Sequence, residues 1–375
     1  MKTALRLPQT QSGAAMTLVD LFCGCGGFSL GAHNAGFDVA AAFDIDATLT
    51  SSFALNFPNT RLYLRDVGKL TGSTIRELVG KPILGVFGGP PCQGFSDIGR
   101  RDTRDPRRKL LGHFFRIVSE LKPTFFVMEN VRGLVYEDAR GVLDTAIKPI
   151  ADQYDILGPV IFDAADFGAA TRRRRVFVIG IDKDAESPLK LEDIRAFERP
   201  AATVKSAIAD LVEAEPLGIS EDEFDYWRIT KRGRPSEYAR LLRSDDGRFA
   251  GHRIVEHKAQ VAKRFASVAP GATDPVGRHP RLAWDGQCPT LRAGTGADKG
   301  SRQAVRPLHP EEPRVITVRE AARLQGFPDR HMFHPTIWHS FRMIGNSVSP
   351  IVAEAVFRAI RRKLGLDAAM GIAAE

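Results

Sequence analysis

Between Thr17 and about Asp182 the chain repeats one pattern: a short, largely apolar run, a glycine-containing or polar turn, then a helical stretch. Leu18-Val19-Asp20-Leu21-Phe22 reads as a strand that runs into a glycine-rich turn, and Phe28-Ser29-Leu30-Gly31-Ala32 opens a helix. Val39 to Phe43 is a second strand, ended by Asp44. A helix over Ile117 to Leu121 leads through Lys122-Pro123 into the apolar run at Phe125, and Val176 to Gly180 forms another buried strand. Runs this short and this apolar suit strands covered on both faces, so the alternation predicts an α/β fold with a mostly parallel sheet.

The pattern breaks at about residue 185. From there to residue 314 apolar runs shorten, prolines and glycines punctuate often, and Arg292-Ala293-Gly294-Thr295-Gly296 reads as an exposed loop. This stretch is expected to be a smaller irregular and β domain inserted into the first. Regular structure returns over 315–365, where Thr317 suits a helix N-cap with Glu320 completing a capping box. A last helix runs from about Pro350 to Leu364. The division expected is thus a tail over 1–16, a catalytic domain over 17–184, the insertion over 185–314, the return, and a tail over 366–375.

Composition narrows the function. The 375 residues carry a formal net charge of +8, which suits a polyanionic partner. Arginines crowd into the loop-like stretches Arg100-Arg101, Arg107-Arg108 and Arg172 to Arg175, where together they could track a phosphate backbone. The four cysteines, Cys23, Cys25, Cys92 and Cys288, lack paired metal spacing, so neither a metal centre nor a disulfide framework is expected, and a reducing compartment is. No apolar run approaches the roughly 20 residues of a membrane helix, and the polar start lacks a signal-peptide core.

Two strings carry chemistry. Pro90-Pro91-Cys92-Gln93 follows the apolar run Ile83 to Phe87, and Met128-Glu129-Asn130-Val131 ends another. Ligands of a doubly wound sheet bind outside the carboxyl ends of its strands, so a thiol and a carboxyl at two strand exits meet in one cleft. Glu129, partly desolvated there, would hold its proton unusually high and suit a proton donor. The turn from Asp20 to Phe28, with Gly24, Gly26 and Gly27, lets a ligand approach backbone at a helix start. It is not GxGxxG, so a nucleoside ligand bearing a carboxylate, such as S-adenosylmethionine, fits better than a nicotinamide cofactor. Asp44 sits where an acid holds ribose hydroxyls, and Asp66 could accept from an adenine amino group. Where the arginine run enters a strand, alternation sets Arg173 and Arg175 on one face and Arg172 and Arg174 on the other.

These strings lie in one order: DLFCGCGGFSLG (20–31), GGPPCQGFS (88–96), MENV (128–131), TRRRRVFVIG (171–180), REAARLQGFPD (319–329) and GNSV (345–348). In them the chain resembles the bacterial DNA (cytosine-5) methyltransferases, from Thr17 to about Leu364. The resemblance implies a Rossmann-like S-adenosylmethionine-dependent sheet with a target-recognition domain in the middle segment. It implies Cys92 as nucleophile, Glu129 on the cytosine ring N3 and amino group, Arg175 on the ring carbonyl, and Arg173 bracing the glutamate and a nearby phosphate. It implies cofactor contacts from Asp20, Phe22, Gly24, Gly26, Gly27, Asp44, Ile45, Asp66, Val67, Pro90, Leu110, Asn346 and Ser347. DNA contacts are expected from Gln93, Ser96 and Arg100 on a lid running to about Asp105, and from Arg172 and Arg292. The chain departs from the family's common pattern at Ala170-Thr171, where Pro-Gln is frequent, and at Ile45, where Trp is.

The activity implied is methyl transfer to C5 of a cytosine flipped out of duplex DNA, through a covalent bond from Cys92 to C6. No metal is expected. The partners expected are double-stranded DNA and, without a stable complex, a cognate restriction endonuclease, for a monomer acting on DNA in the bacterial cytoplasm, at the nucleoid. A transfer-RNA cytosine methyltransferase of similar fold and a DNA-binding regulator without catalysis are the rivals. The basic middle segment favours DNA over RNA, and intact Cys92 and Glu129 favour catalysis.

Overall fold

The computed structural model describes residues 16–91, 109–185, 188–230, 234–294 and 305–367. The two expected tails therefore fall outside the described residues, apart from Met16, Leu366 and Asp367. So do Gln93, Ser96 and Arg100, expected on a lid, and Cys92 itself.

The strands are β1 (Thr17–Leu21), β2 (Asp38–Asp44), β3 (Arg61–Leu64), β4 (Gly85–Gly88), β5 (Phe125–Asn130), β6 (Tyr154–Asp163) and β7 (Arg174–Asp182) in a first sheet. A second sheet holds β8 (Ala214–Ile219), β9 (Asp225–Ile229) and β10 (Arg248–Ala250). The first sheet is seven-stranded in the order β3-β2-β1-β4-β5-β7-β6. β3 to β5 run parallel, and only β7 is reversed, pairing antiparallel with β5 and with β6. The strand order turns back between β1 and β4, which opens a crevice above their carboxyl ends. The mostly parallel α/β sheet expected from the sequence is present.

Helices cover both faces. Phe28 and the C-terminal helix Pro350–Lys363, through Val352, Val356 and Ile360, fill one side with Phe87, Phe125 and Phe177. The helix Lys109–Leu121, through Phe114, Phe115 and Val118, fills the other with Phe126 and Met128. Full cover explains why β1, β4 and β5 are buried along their whole length. Several boundaries move by small steps. The helix expected over Ile117 to Leu121 is already present at Lys109, the first described residue of that stretch, and the one opening at Phe28 begins at Gly27. Phe22, expected as the last residue of the first strand, lies outside it at φ 69°, because the chain must swing sharply into the glycine turn.

The second sheet is antiparallel, in the order β10-β9-β8. Its anchor is Asp225, whose carboxyl accepts from the backbone N–H groups of Gly251, His252 and Arg253 and from Trp227 Nε1. Phe249 on β10 packs among Ala321, Ala322 and Leu324 of the helix Val318–Leu324. That helix has the capping box read from the sequence: Thr317 Oγ1 accepts from Glu320 N, and Glu320 Oε2 from Thr317 N. Farther upstream, Leu189 and Ile194 pack into the core of the first sheet.

Candidate active site

Glu129 is the next-to-last residue of β5, and its pairing with Phe177 sets it beside the reversed strand β7. Arg175, two residues earlier on β7, reaches back so that its Nε lies 3.0 Å from Glu129 Oε1. The Glu129 carboxyl is almost fully buried. Burial pushes it above the ordinary carboxylate range, against the opposing pull of Arg175 and then Arg173. The result is a carboxyl poised to hold a proton, the environment expected from the sequence. On its other side, Glu129 Oε2 would lie 3.0 Å from a β-carbon placed on Gly89. Asn130 Nδ2 donates to Pro90 O at 3.1 Å, fixing the exit of β4 to the exit of β5. Cys92 follows two residues after Pro90, outside the described residues.

The arginine run alternates as expected. Arg173 is buried, Arg175 half-buried, and Arg172 and Arg174 exposed. Its partners differ from the roles expected. Arg175, expected on the base, is the one that pairs with Glu129. Arg173 spans away: Nη1 donates to Leu291 O at 3.2 Å, and Nη2 to Gly345 O at 2.8 Å and Ser347 O at 2.7 Å. Arg174 Nε lies 3.2 Å from Asp163 Oδ2, and Arg172 Nη2 donates to Gln287 Oε1 at 3.4 Å.

The residues expected to hold a cofactor gather along the carboxyl edge of β1, β2 and β3. Asp44 Oδ2 accepts from Gly24 N and Oδ1 from Asp46 N, each at 2.9 Å, so this carboxyl braces the glycine turn from the next strand. Burial raises its pKa, opposed by those backbone donors. Gly26, at φ 84°, caps the helix Gly27–Asn34 under the rings of Phe57 and Phe53. A β-carbon on Gly27 would lie 2.0 Å from Ser347 Oγ, so the glycine turn and the Asn346-Ser347 turn touch. Ile45 is 71% exposed and Leu64, paired with Asp44 across the strands, 53%: two apolar side chains open at one rim. Asp66 Oδ1 accepts from Gly68 N, and Gly68 faces His113, one turn beyond Leu110, so Asp66, Val67 and Leu110 share a corner.

Asp20 stands apart from this rim. It is fully buried, Ser29 Oγ donates to its Oδ2, and burial, reinforced by the charge of Asp44, pushes it up to about 8. Arg292 is exposed, on a loop whose backbone crosses Gly345 so closely that a β-carbon there would meet Ala293 N at 2.3 Å.

Sequence reading missed several participants. Arg132 joins Arg172 and Arg174 in lining a concavity of about 400 Å³, with Asp163, Asp166 and Gln287. Gln325 Nε2 donates to Ile344 O and Ser347 O. The stretch 288–291 docks on the arginine run: Cys288 N donates to Ala170 O, Arg172 N to Cys288 O, and Thr290 Oγ1 to Arg172 O. Arg132 and Gln325 stand in or beside strings that were read as motifs, and that nearness was the available signal.

Comparison with known proteins bears on this site. Residues 16–362 match the model of the C-5 cytosine-specific DNA methylase family. Type II methyltransferase M.XorII of Xanthomonas oryzae is 41% identical over 92% of this chain and 85% of its own length. Type II methyltransferase M.DdeI of Desulfomicrobium norvegicum is 29% identical over 91% and 87%. An Escherichia coli prophage-encoded chain, described as a DNA modification methyltransferase, superposes with a TM-score of 0.81 at 39% identity, covering 93% of this chain and 99% of that one. The Dnmt2 methyltransferase of S. pombe shares the fold at a TM-score of 0.59 and 17% identity, over 94% and 99%.

Proposed function

The chain belongs to the C-5 cytosine-specific DNA methylase family, and from that premise we propose how its own residues methylate cytosine in duplex DNA. The names of the Type II relatives support a restriction-modification setting, in which the protein works as a monomer at the nucleoid and marks DNA against a separate endonuclease.

Cytosine C5 is a poor nucleophile, so the ring must first be activated. Cys92 adds to C6 while Glu129 gives its proton to N3, and C5 gains enamine character. S-adenosylmethionine, when bound, supplies the electrophilic methyl group. Loss of the C5 proton to solvent, return of the N3 proton to the Glu129 carboxylate and departure of the Cys92 sulfur as a thiolate then restore the aromatic ring. Arg175 holds the Glu129 carboxyl in place and reaches the ring carbonyl. Because the duplex hides the base, the nucleotide leaves the stack, at roughly a few kcal/mol.

The donor set suits the cofactor. Ile45 and Leu64 offer apolar surface to a purine, Phe22 stands at the bend after β1, Asp44 faces the ribose, and Asp66 with Leu110 bounds the far end. The backbone of Gly24, open on its side-chain side, leaves room for the amino-acid end. Pro90, Asn346 and Ser347 close the site. The segment expected over 185–314 supplies sequence readout, and Arg172, Arg292 and the lid residues Gln93, Ser96 and Arg100 meet the DNA.

The observation that carries this reading is the Glu129 carboxyl: buried, raised in pKa, held by Arg175, and seated against Gly89, three residues before Cys92 in the sequence. Transfer of tritiated methyl groups from S-adenosylmethionine to duplex DNA, with transfer RNA as the parallel substrate, tests it. Labelled duplex is expected, a 5-fluorocytosine duplex should trap a covalent adduct, and Cys92→Ser should give neither. Labelling of transfer RNA alone, or full turnover by the serine variant, overturns the reading.

A further inference from the structure

Arg173 is the largest side chain buried beside the site, and its guanidinium reaches away from β7, the strand it introduces, to two remote segments. Burying a guanidinium is costly unless several acceptors replace its water. Here three backbone carbonyls do so. Leu291 O belongs to the middle segment; Gly345 O and Ser347 O belong to the end of the helix Ile337–Asn346 and the turn after it. The last carbonyls of a helix lack partners and carry the negative end of its dipole, so a cation is favoured there. Gln325 Nε2 holds the same turn, donating to Ile344 O at 2.8 Å and Ser347 O at 3.0 Å.

The turn so held bears Asn346 and Ser347, and Ser347 touches Gly27 of the glycine turn. The backbone of Arg173 is itself fixed, its N–H donating to Asp163 Oδ1 at 2.8 Å. One side chain therefore links the base of β7, which places Arg175 on Glu129, to the cofactor turn and to the segment expected to read DNA.

We propose that Arg173 is a positioning residue that couples occupancy of the cofactor site to engagement of DNA by the middle segment, through its bonds to Ser347, Gly345 and Leu291. This rests on the reading that Asn346 and Ser347 border the cofactor. In Arg173→Lys the ammonium keeps the charge but cannot fork to three carbonyls on two segments. By linkage, whatever factor S-adenosylhomocysteine gives in duplex affinity, the duplex gives back in affinity for S-adenosylhomocysteine.

The test measures S-adenosylhomocysteine binding, duplex binding with and without it, and the pH profile of turnover for the wild type, Arg173→Lys, Arg173→Met and Gln325→Met. Wild type should bind duplex several-fold tighter with S-adenosylhomocysteine than without. Arg173→Lys should weaken S-adenosylhomocysteine binding by about tenfold or more, the worth of one charged hydrogen bond. It should also bring the duplex ratio close to one and leave the alkaline limb of the profile in place. Arg173→Met should lose the ratio and also move that limb upward, because a positive charge near Glu129 is gone. A ratio kept at the wild-type value in Arg173→Lys overturns the proposal. If both Arg173 variants fail to fold, Gln325→Met decides: weaker S-adenosylhomocysteine binding at unchanged free-enzyme duplex affinity supports the held turn, and unchanged S-adenosylhomocysteine binding overturns it. A wild type that binds no S-adenosylhomocysteine overturns the reading of the cofactor site instead.

Discussion

Two buried glutamates of this protein end in opposite electrostatic states. Glu129, at the exit of β5, meets Arg175 through one contact at 3.0 Å, and burial outweighs that attraction, so its pKa rises. Glu320, in the helix that anchors the middle segment, is also buried. Yet Arg314 grips it with two bonds of 2.9 Å, and Thr317 N donates at 2.7 Å. There the bonds and charge of Arg314, with His252 and His309, overcome burial and take Glu320 down to about 2. A side chain held through one contact can give up or take a proton. A side chain with a bidentate guanidinium and a backbone donor cannot. The first suits the proposed chemistry and the second the architecture.

The architectural pattern extends around Glu320. Arg323, with no exposed surface, bonds Asp329 and Asp210, which also takes Arg243. Arg319 donates to Ala250 O on β10, to Pro328 O and to His331 O. The middle sheet is thus bolted to the core by arginines whose charges are committed to fixed acceptors.

The comparison breaks most sharply at Glu129. Glu129→Gln keeps size but removes the transferable proton, and turnover should fall by about 10²–10⁴-fold while the folded protein melts no lower. Normal turnover, or loss of folding, would make Glu129 a structural residue like its counterpart. Glu320→Gln should do the reverse. Removing one partner of a buried pair leaves Arg314 incompletely compensated, a destabilisation of about 3–5 kcal/mol. Chemical denaturation measures it, and the fraction that stays folded should still transfer methyl groups.

The pH dependence of stability separates the same two residues. Glu320 titrates lower folded than unfolded, so its contribution is present above the ordinary glutamate pKa and is lost as pH falls toward about 2. Glu129 and Asp20 titrate higher folded than unfolded. Their contribution is complete below the ordinary carboxylate range and is lost as pH rises through the folded value, about 8 for Asp20. Melting curves across pH should therefore show Glu320→Gln flattening the rise in stability on the acid side and Asp20→Asn flattening the decline between the ordinary carboxylate range and about pH 8. An Asp20→Asn slope identical to wild type would mean that this buried carboxyl is already charged at neutral pH.

Much of this was legible in the sequence. The sheet, the capping box at Thr317 and Glu320, the raised carboxyl at Glu129 and the alternation of Arg172 to Arg175 all follow from short-range patterns. That β4 and β5 end side by side followed from the two apolar runs, whereas the reversed β7, which meets Glu129 at its start and not its exit, did not. What stayed hidden depends on contacts between distant segments. Arg173, Arg319 and Arg323 look in sequence like any charged surface residue, and their burial requires partners as far as 174 positions away. The register of β8 to β10 was unreadable because their runs are short and none alternates regularly between buried and exposed positions. The division of labour between Arg173 and Arg175 depends on which neighbour each side chain can reach, and alternation gives only the face.

The remaining arginines should show the smallest effect. Arg132, Arg172 and Arg174 line one concavity of about 400 Å³ beside β6, and all three are exposed where Arg323 is buried. Removing one phosphate partner should flatten the salt dependence of duplex binding by about 0.9 in log–log slope. The three should still differ. Asp163 already accepts from Arg173 N and lies 3.2 Å from Arg174 Nε, so Arg174 brings a partly neutralised charge to DNA. Arg132→Ala and Arg172→Ala should each lower the slope by close to that full value, and Arg174→Ala by clearly less. All three should weaken cognate and random duplexes in the same proportion, since phosphates carry no sequence. Titrations of each variant at several salt concentrations measure this. If Arg174→Ala flattens the slope as much as Arg172→Ala, DNA must draw Arg174 off Asp163, and the mouth of β6 rearranges when the duplex binds.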